Sequence, residues 1–216
     1  MMTTTNVLIA AVGGQGAVLG ARIIARFASE QGLEVKVSEI HGMSQRGGSV
    51  VTHVRYGTEV HSPMIEAGTA DVVIGLEALE AARHAPMLKR AGVLIVNTQE
   101  IRPLPVLTGA AAYPSDLLQR LSELPVRVRA VDGLAEARAA GSVKTVNTVL
   151  LGVLARESGA EAARWRRAVT ACVREVHRAV NLAAFERGYE VAGAALAVGS
   201  SDLRQHGLGR SGLPPS

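Results

Sequence analysis

Cysteine is almost missing from this chain: Cys172 is the only one in 216 residues. A single thiol excludes an internal disulfide framework. It also excludes an iron–sulfur cluster ligated by this chain alone, because such clusters take about four protein ligands. Aromatic residues are scarce as well, at 3%. Few rings are present to stack unpaired bases, so the net charge of +4 and a pI near 9.7 do not by themselves point to nucleic acid. The basic residues are spread along the chain, as on a solvated surface or a face for an acidic partner. No apolar run approaches the roughly 18 residues a membrane-spanning helix needs. The first five residues are polar and lead into no signal core. The expectation is a cytoplasmic protein that engages neither nucleic acid nor membrane.

What is present is a hydrophobic fraction of 48%, enough for a large Ala-, Val- and Leu-rich core. At this length one domain is expected, spanning residues 1–199, with the Gly- and Pro-containing stretch 200–216 as a flexible tail. Strand-length apolar runs alternate with helical stripes, which predicts an α/β fold. That fold is Rossmann-like, with a mostly parallel sheet, flanking helices, a small antiparallel excursion and helices at the C-terminal end.

The first run, residues 7–12, meets Gly13-Gly14-Gln15-Gly16. The turn opens directly into a helical pattern over residues 17–31. Strand–turn–helix units of this kind cradle phosphates. Glycines let the backbone approach a ligand, and a helix start offers free N–H groups and a favourable dipole to an anion. The spacing Gly14-x-Gly16-x-x-x-Gly20 is one residue longer than the usual dinucleotide fingerprint, so a structural turn without ligand is the alternative.

Residues 34–38 alternate and predict a second strand, parallel to the first across a right-handed crossover. The polar, glycine-rich stretch 39–48 follows from its carboxyl end. That is the edge where open parallel sheets place ligands, so this loop and the glycine turn are expected to meet there. Residues 49–56 read as a strand, with 59–65 pairing back on it as the antiparallel excursion. Strands are expected at 71–75, 92–97 and 126–131. Helices are expected at 77–90, interrupted near Pro86, from a Ser115 cap to Leu121, and from an Asp132 cap to Ala139. Residues 99–112 read as a loop. A helix at 146–154 stops near Gly159. One long helix follows over 161–187, its apolar stripe running through Trp165, Val169, Cys172, Val173, Val176, Val180 and Ala183.

Several motifs together resemble the gamma domain of 2-oxoacid:ferredoxin oxidoreductases. They are Val12-Gly13-Gly14-Gln15-Gly16, then Glu39-x-His41-Gly42-Met43-Ser44-Gln45-Arg46-Gly47-Gly48-Ser49-Val50, then His53-x-Arg55. Pro63-Met64-Ile65, Ala70-Asp71, Gly75-Leu76-Glu77-x-x-Glu80-Ala81 and Asn147-x-x-Leu150-Leu151-Gly152 also fit. As a separate chain of this length, it is most similar to small beta subunits of the indolepyruvate branch. The likeness covers roughly residues 6–190.

The resemblance implies a subunit of an oxidoreductase that is inactive alone. Such enzymes decarboxylate an arylpyruvate on thiamine diphosphate, pass the acyl group to coenzyme A and deliver electrons through iron–sulfur clusters to ferredoxin. Thiamine diphosphate, Mg and the clusters are implied for a larger alpha subunit, in a heterodimer or α2β2 complex. For this chain the resemblance implies a share in the coenzyme A cleft. Gly13, Gly14, Gln15 and Gly16 would offer N–H groups to the pyrophosphate, and Arg46 would pair with a phosphate.

The same residues have plainer readings. His41, Gly42, Met43, Ser44, Gln45, Gly47 and Gly48 are read as lining an interface or the shared cleft, with direct phosphate contact second. A Ser44–His41 nucleophile pair lacks an orienting third group, so no catalytic residue is assigned. Glu39 stands where a nicotinamide-binding fold places its ribose carboxylate, but a structural hydrogen bond is the preferred reading. His53 and Arg55 are read as ion-pair or interface residues. His41, His53 and His61 match no compact metal spacing, so no metal is expected. Arg167, Arg174 and Arg178 read as a solvated face. Two other classes remain as alternatives: a non-catalytic nucleotide-binding module and a nicotinamide-dependent dehydrogenase.

Overall fold

Six strands form one sheet: β1 (Thr5–Val12), β2 (Glu34–His41), β3 (Ser49–Gly57), β4 (Ala70–Gly75), β5 (Leu88–Asn97) and β6 (Arg127–Val131). The computed structural model describes residues 4–41 and 48–194, and these counts refer to them. The strand order is β2-β3-β1-β4-β5-β6. β1, β4, β5 and β6 run parallel, while β3 pairs antiparallel with both β1 and β2. β1, β4 and β5 are near-continuous apolar runs because helices cover both of their faces.

The helices are α1 (Ala17–Ser29), α2 (Ala78–His84), α3 (Leu104–Leu107), α4 (Leu117–Ser122), α5 (Gly133–Ala139), α6 (Val146–Glu157), α7 (Ala162–Cys172) and α8 (Arg178–Ala194). Alternate residues of β1 feed two cores. Val7, Ile9 and Ala11 pack with residues of α1 and α5 to α8. Leu8 and Ala10 pack with residues of α2 and α4. The first layer is closed by a tight crossing of α6 and α8. A Cβ on Gly152 would lie 2.1 Å from the Phe185 carbonyl, and one on Gly188 1.9 Å from the Val149 carbonyl. Phe27 of α1 stacks on Trp165 of α7 with ring centroids 3.9 Å apart, joining those helices.

Several expectations change. β1 and β2 do point the same way, but β3 lies between them, so they are not neighbours. The antiparallel element is therefore inside the sheet, and residues 59–65 form no strand. That segment is instead pinned over β3. His53 Nδ1 accepts the Ile65 N–H at 3.1 Å, and Arg55 donates to Asn6 Oδ1 and to the Ser62 and Met64 carbonyls. The helix expected over 77–90 ends at His84 and a single 3-10 turn, and β5 begins already at Leu88. The long helix expected over 161–187 is two helices. Arg178 Nε donates to the carbonyls of Thr170 and Val173, which supplies the broken end of α7 with a donor. The apolar stripe accordingly fails past the break, where Val176 is 78% exposed. Cys172 is half-buried at the layer's margin rather than core. The stretch 99–112 contains the single turn α3. The tail expected at 200–216 lies outside the described residues. Among those residues no helix is long and apolar enough to cross a membrane.

Candidate ligand cleft at the carboxyl edge of the sheet

The parallel strands end at one edge, and β1 ends there in the glycine turn. Gly14 and Gly16 adopt φ of +98° and +85°, a region a side chain would strain. At Gly16 a Cβ would also stand 2.8 Å from Asn147 Nδ2. Gly20 has an ordinary backbone, and a Cβ there would make only ordinary contact with Ile9 at 3.4 Å, so the third glycine of the spacing is not required by the turn.

The turn's N–H groups divide into two sets. Gly13 donates to the Gly48 carbonyl at 2.8 Å and Gln15 to the Val12 carbonyl at 3.2 Å. Neither Gly14 nor Gly16 donates to another described residue. The first helical bond runs from Gly20 to the Gly16 carbonyl, so the N–H groups of Ala17 and Val18 also precede any intrahelical partner. No acidic residue stands in the first turn of α1 to offset its dipole. These groups border a cleft of about 340 Å³, closed on the other side by Glu39, His41 and Val50. Four backbone donors around an open volume can take a phosphate. The Glu39 carboxylate opposite repels a phosphate but accepts from a hydroxyl, as on a ribose.

Gln15 differs from the expectation. Its Oε1 accepts the Val12 N–H at 2.8 Å, and its Nε2 donates to the Leu76 carbonyl at 2.9 Å. The side chain is committed inward, so only its backbone borders the cleft. Asn97 Nδ2 donates to the same Leu76 carbonyl, and Asn97 Oδ1 accepts the Gly133 N–H. Asn147 Nδ2 donates to the Gly16 carbonyl at 3.1 Å. A buried chain continues from there, with Thr148 donating to Asn181 and Asn181 to the His177 carbonyl. The turn is thus braced from β4, β5 and the C-terminal helices. Gly48 joins the turn and His41 lines the cleft. Arg46, with Gly42, Met43, Ser44, Gln45 and Gly47, lies outside the described residues.

A second cleft of about 350 Å³ opens on the same edge across Val12, against Ser49, Glu77 and Glu80. Both carboxylates are more than nine-tenths buried. Glu77 caps α2 by accepting the Glu80 N–H, and also accepts the Ile101 N–H and the Tyr113 hydroxyl. Burial first, and then that bond to Glu77, push the Tyr113 phenol far above its ordinary range. Glu80 accepts from Ser49 at 2.5 Å and from Arg83 at 2.6 Å. Along the sequence Glu77, Glu80 and Asn147 figured only as motif residues, and the roles of all three and of Asn97 were missed. The Glu77-x-x-Glu80 spacing ahead of a helical run was the available signal, since it is that of an N-cap and its third helical residue.

The histidines do not come together. His41 lines the first cleft, His53 is buried against Ile65, and His61 is exposed beside Glu59. Among the described residues no three His, Cys, Asp or Glu could hold a metal ion. With one half-buried thiol, this chain's donors do not fit an iron–sulfur cluster either.

This is a mixed α/β fold whose carboxyl edge carries a glycine turn with open backbone donors. Residues 6–191 match the pyruvate ferredoxin/flavodoxin oxidoreductase family, and the chain belongs to it. The indolepyruvate oxidoreductase subunit IorB of Archaeoglobus fulgidus is 44% identical over 151 residues, which cover 69% of this chain and 75% of that one. The subunit of the same name from Pyrococcus horikoshii is 39% identical over 161 residues, covering 73% and 80%. Among solved structures, the gamma subunit of a keto/oxoacid ferredoxin oxidoreductase from Geobacter sulfurreducens superposes with a TM-score of 0.69 at 25% identity, covering 88% of this chain and 99% of that one.

Proposed function

We propose that this chain is the small subunit of an indolepyruvate-type 2-oxoacid ferredoxin oxidoreductase, and that its glycine turn forms one wall of the coenzyme A cleft. Family membership and the relatives' shared description support the subunit role. The observation that carries the cleft role is the pair of Gly14 and Gly16 N–H groups at the start of α1, unpartnered among the described residues. They would receive the coenzyme's pyrophosphate, while Glu39 would accept from a ribose hydroxyl and Arg46 would pair with a further phosphate. The reaction would convert an arylpyruvate to an aryl-acetyl-coenzyme A, with two electrons passing to ferredoxin in the cytoplasm. Thiamine diphosphate, Mg and the clusters would sit on the larger subunit, where the thiamine supplies the decarboxylation chemistry. This chain's part is to bind and orient the acyl acceptor beside it.

The nicotinamide reading loses ground to the strand order. A ribose carboxylate in that fold follows a strand adjacent to β1, whereas here β3 intervenes and moves Glu39 one strand outward.

Coenzyme A titrated calorimetrically into the assembled complex tests the cleft. Gly14→Ala has no neighbour to clash with and strains only the backbone. It should weaken binding about tenfold by turning the free N–H away, on the order of one hydrogen bond to a charged group. Arg46→Ala should also weaken it. Unchanged affinity in both variants would remove the cleft from coenzyme A binding.

A further inference from the structure

The second cleft directs its chemistry outward in an unusual way. Glu77 is 1% exposed, yet two of its three hydrogen bonds hold not the core but the segment that leads to α3 and the Tyr113 that follows it. The turn itself is locked. Val106 and Leu107 donate to the Pro103 carbonyl, Thr108 to that of Leu104, and Ala111 to that of Pro105. This rigid turn presents Leu104, 71% exposed, and Leu107, 68% exposed. Arg102 at its base makes no ion pair with another described residue, and Arg83 beside it is half exposed.

We infer that α3 is a docking knob for the large oxidoreductase subunit, seating its two leucines in an apolar groove edged by carboxylates. The inference rests on the subunit role proposed above and not on coenzyme A binding. Protein interfaces have an apolar centre with a polar margin; Arg83 is already ion-paired with Glu80, so it is Arg102 that gives this margin a sign calling for acids opposite. A knob already ordered in the free chain loses little conformational freedom on docking. Its place fits as well. Val12 lines both clefts, so a protein seated on α3 would border the mouth of the glycine cleft.

The test uses the full chain, tagged and produced in its native cell. The double variant Leu104→Glu/Leu107→Glu is compared with Val176→Glu, an equally exposed apolar residue in the helical layer. The large subunit, identified by its bound thiamine diphosphate and iron, should co-purify with the unaltered chain and with Val176→Glu. Its recovery should fall at least tenfold or so with the double variant, as for loss of a hot spot. The melting temperature of the isolated double variant should be unchanged, since both leucines face water. Undiminished recovery would overturn the inference. So would a melting temperature lower by several degrees, which would mean the chain's own residues cover the knob. A dimer of the isolated chain that the double variant splits would also overturn it, by assigning the knob to a second copy. Failure of the unaltered chain to bring down such a subunit would instead strike the subunit role itself.

Discussion

On either side of Val12 lie two clefts of nearly equal volume, about 340 and 350 Å³, with opposite polarity of use. Toward α1, backbone donors are left open, with Val18 half exposed beside them. Toward α2, the carboxylates are saturated by hydrogen bonds while two leucines are left bare. Open donors suit a small anion, which brings its own acceptors. Bare leucines beside Arg102, which makes no ion pair with another described residue, suit a protein, which brings apolar area and carboxylates. The same strand end therefore separates open backbone donors from bare apolar side chains.

The comparison can be broken most forcefully at Glu77. Glu77→Ala strips an acceptor from the Glu80 and Ile101 N–H groups and the Tyr113 hydroxyl. It should cost about 3 kcal/mol, as expected when buried donors are orphaned. Urea unfolding measures this, and coenzyme A affinity should fall far less than stability if the two sides are independent. On the other side, Asn147→Ala removes the donor to the Gly16 carbonyl and should cost about 1–2 kcal/mol. Here the order of effects reverses, and coenzyme A binding should suffer while capture of the large subunit through α3 is retained. Equal losses of both functions in both variants would show one coupled edge rather than two sites.

The smallest effect concerns pH and the segment over β3. Burial, and after it the neighbouring His84, hold the His53 imidazole below its ordinary pKa of 6.5. The neutral ring accepts from Ile65. Above pH 6.5 its contribution to stability is fully present. As pH falls, the unfolded chain takes a proton that the folded chain resists, and the contribution is lost down through the lowered folded value. His53→Asn keeps an acceptor but does not titrate. Unfolding followed from pH 7.5 down to pH 5.5 should therefore fall less steeply in that variant than in the native chain. Parallel curves would exclude His53 as the source.

Much of the frame was readable along the chain. The apolar runs that became β1, β4 and β5 read as buried strands, since each is too short for a helix and bounded by turn residues, and β6 was readable by its alternation. Asp132 was readable as the cap it is, accepting the Ala135 N–H at 2.9 Å. The glycine turn was readable because positive φ leaves few residues to choose from. The break between α7 and α8 was not. No proline or glycine marks it, and the donor that compensates it, Arg178, comes from the next helix. Asn97 and Asn147 were not readable as braces either, nor was the hold of Glu77 on Ile101 and Tyr113, because those partners are distant in sequence.

Local pattern by itself determined most of the elements, the α/β class and the glycine turn, because periodicity and backbone conformational limits act over a few residues. The motif set also determined the family. Only the tertiary structure decided that β3 stands between β1 and β2, that Gln15 turns inward, and that Glu77 holds a rigid apolar knob in water. Those outcomes depend on which strand edge and which buried acceptor lie nearest once the layers have packed, and no short stretch of chain contains that information.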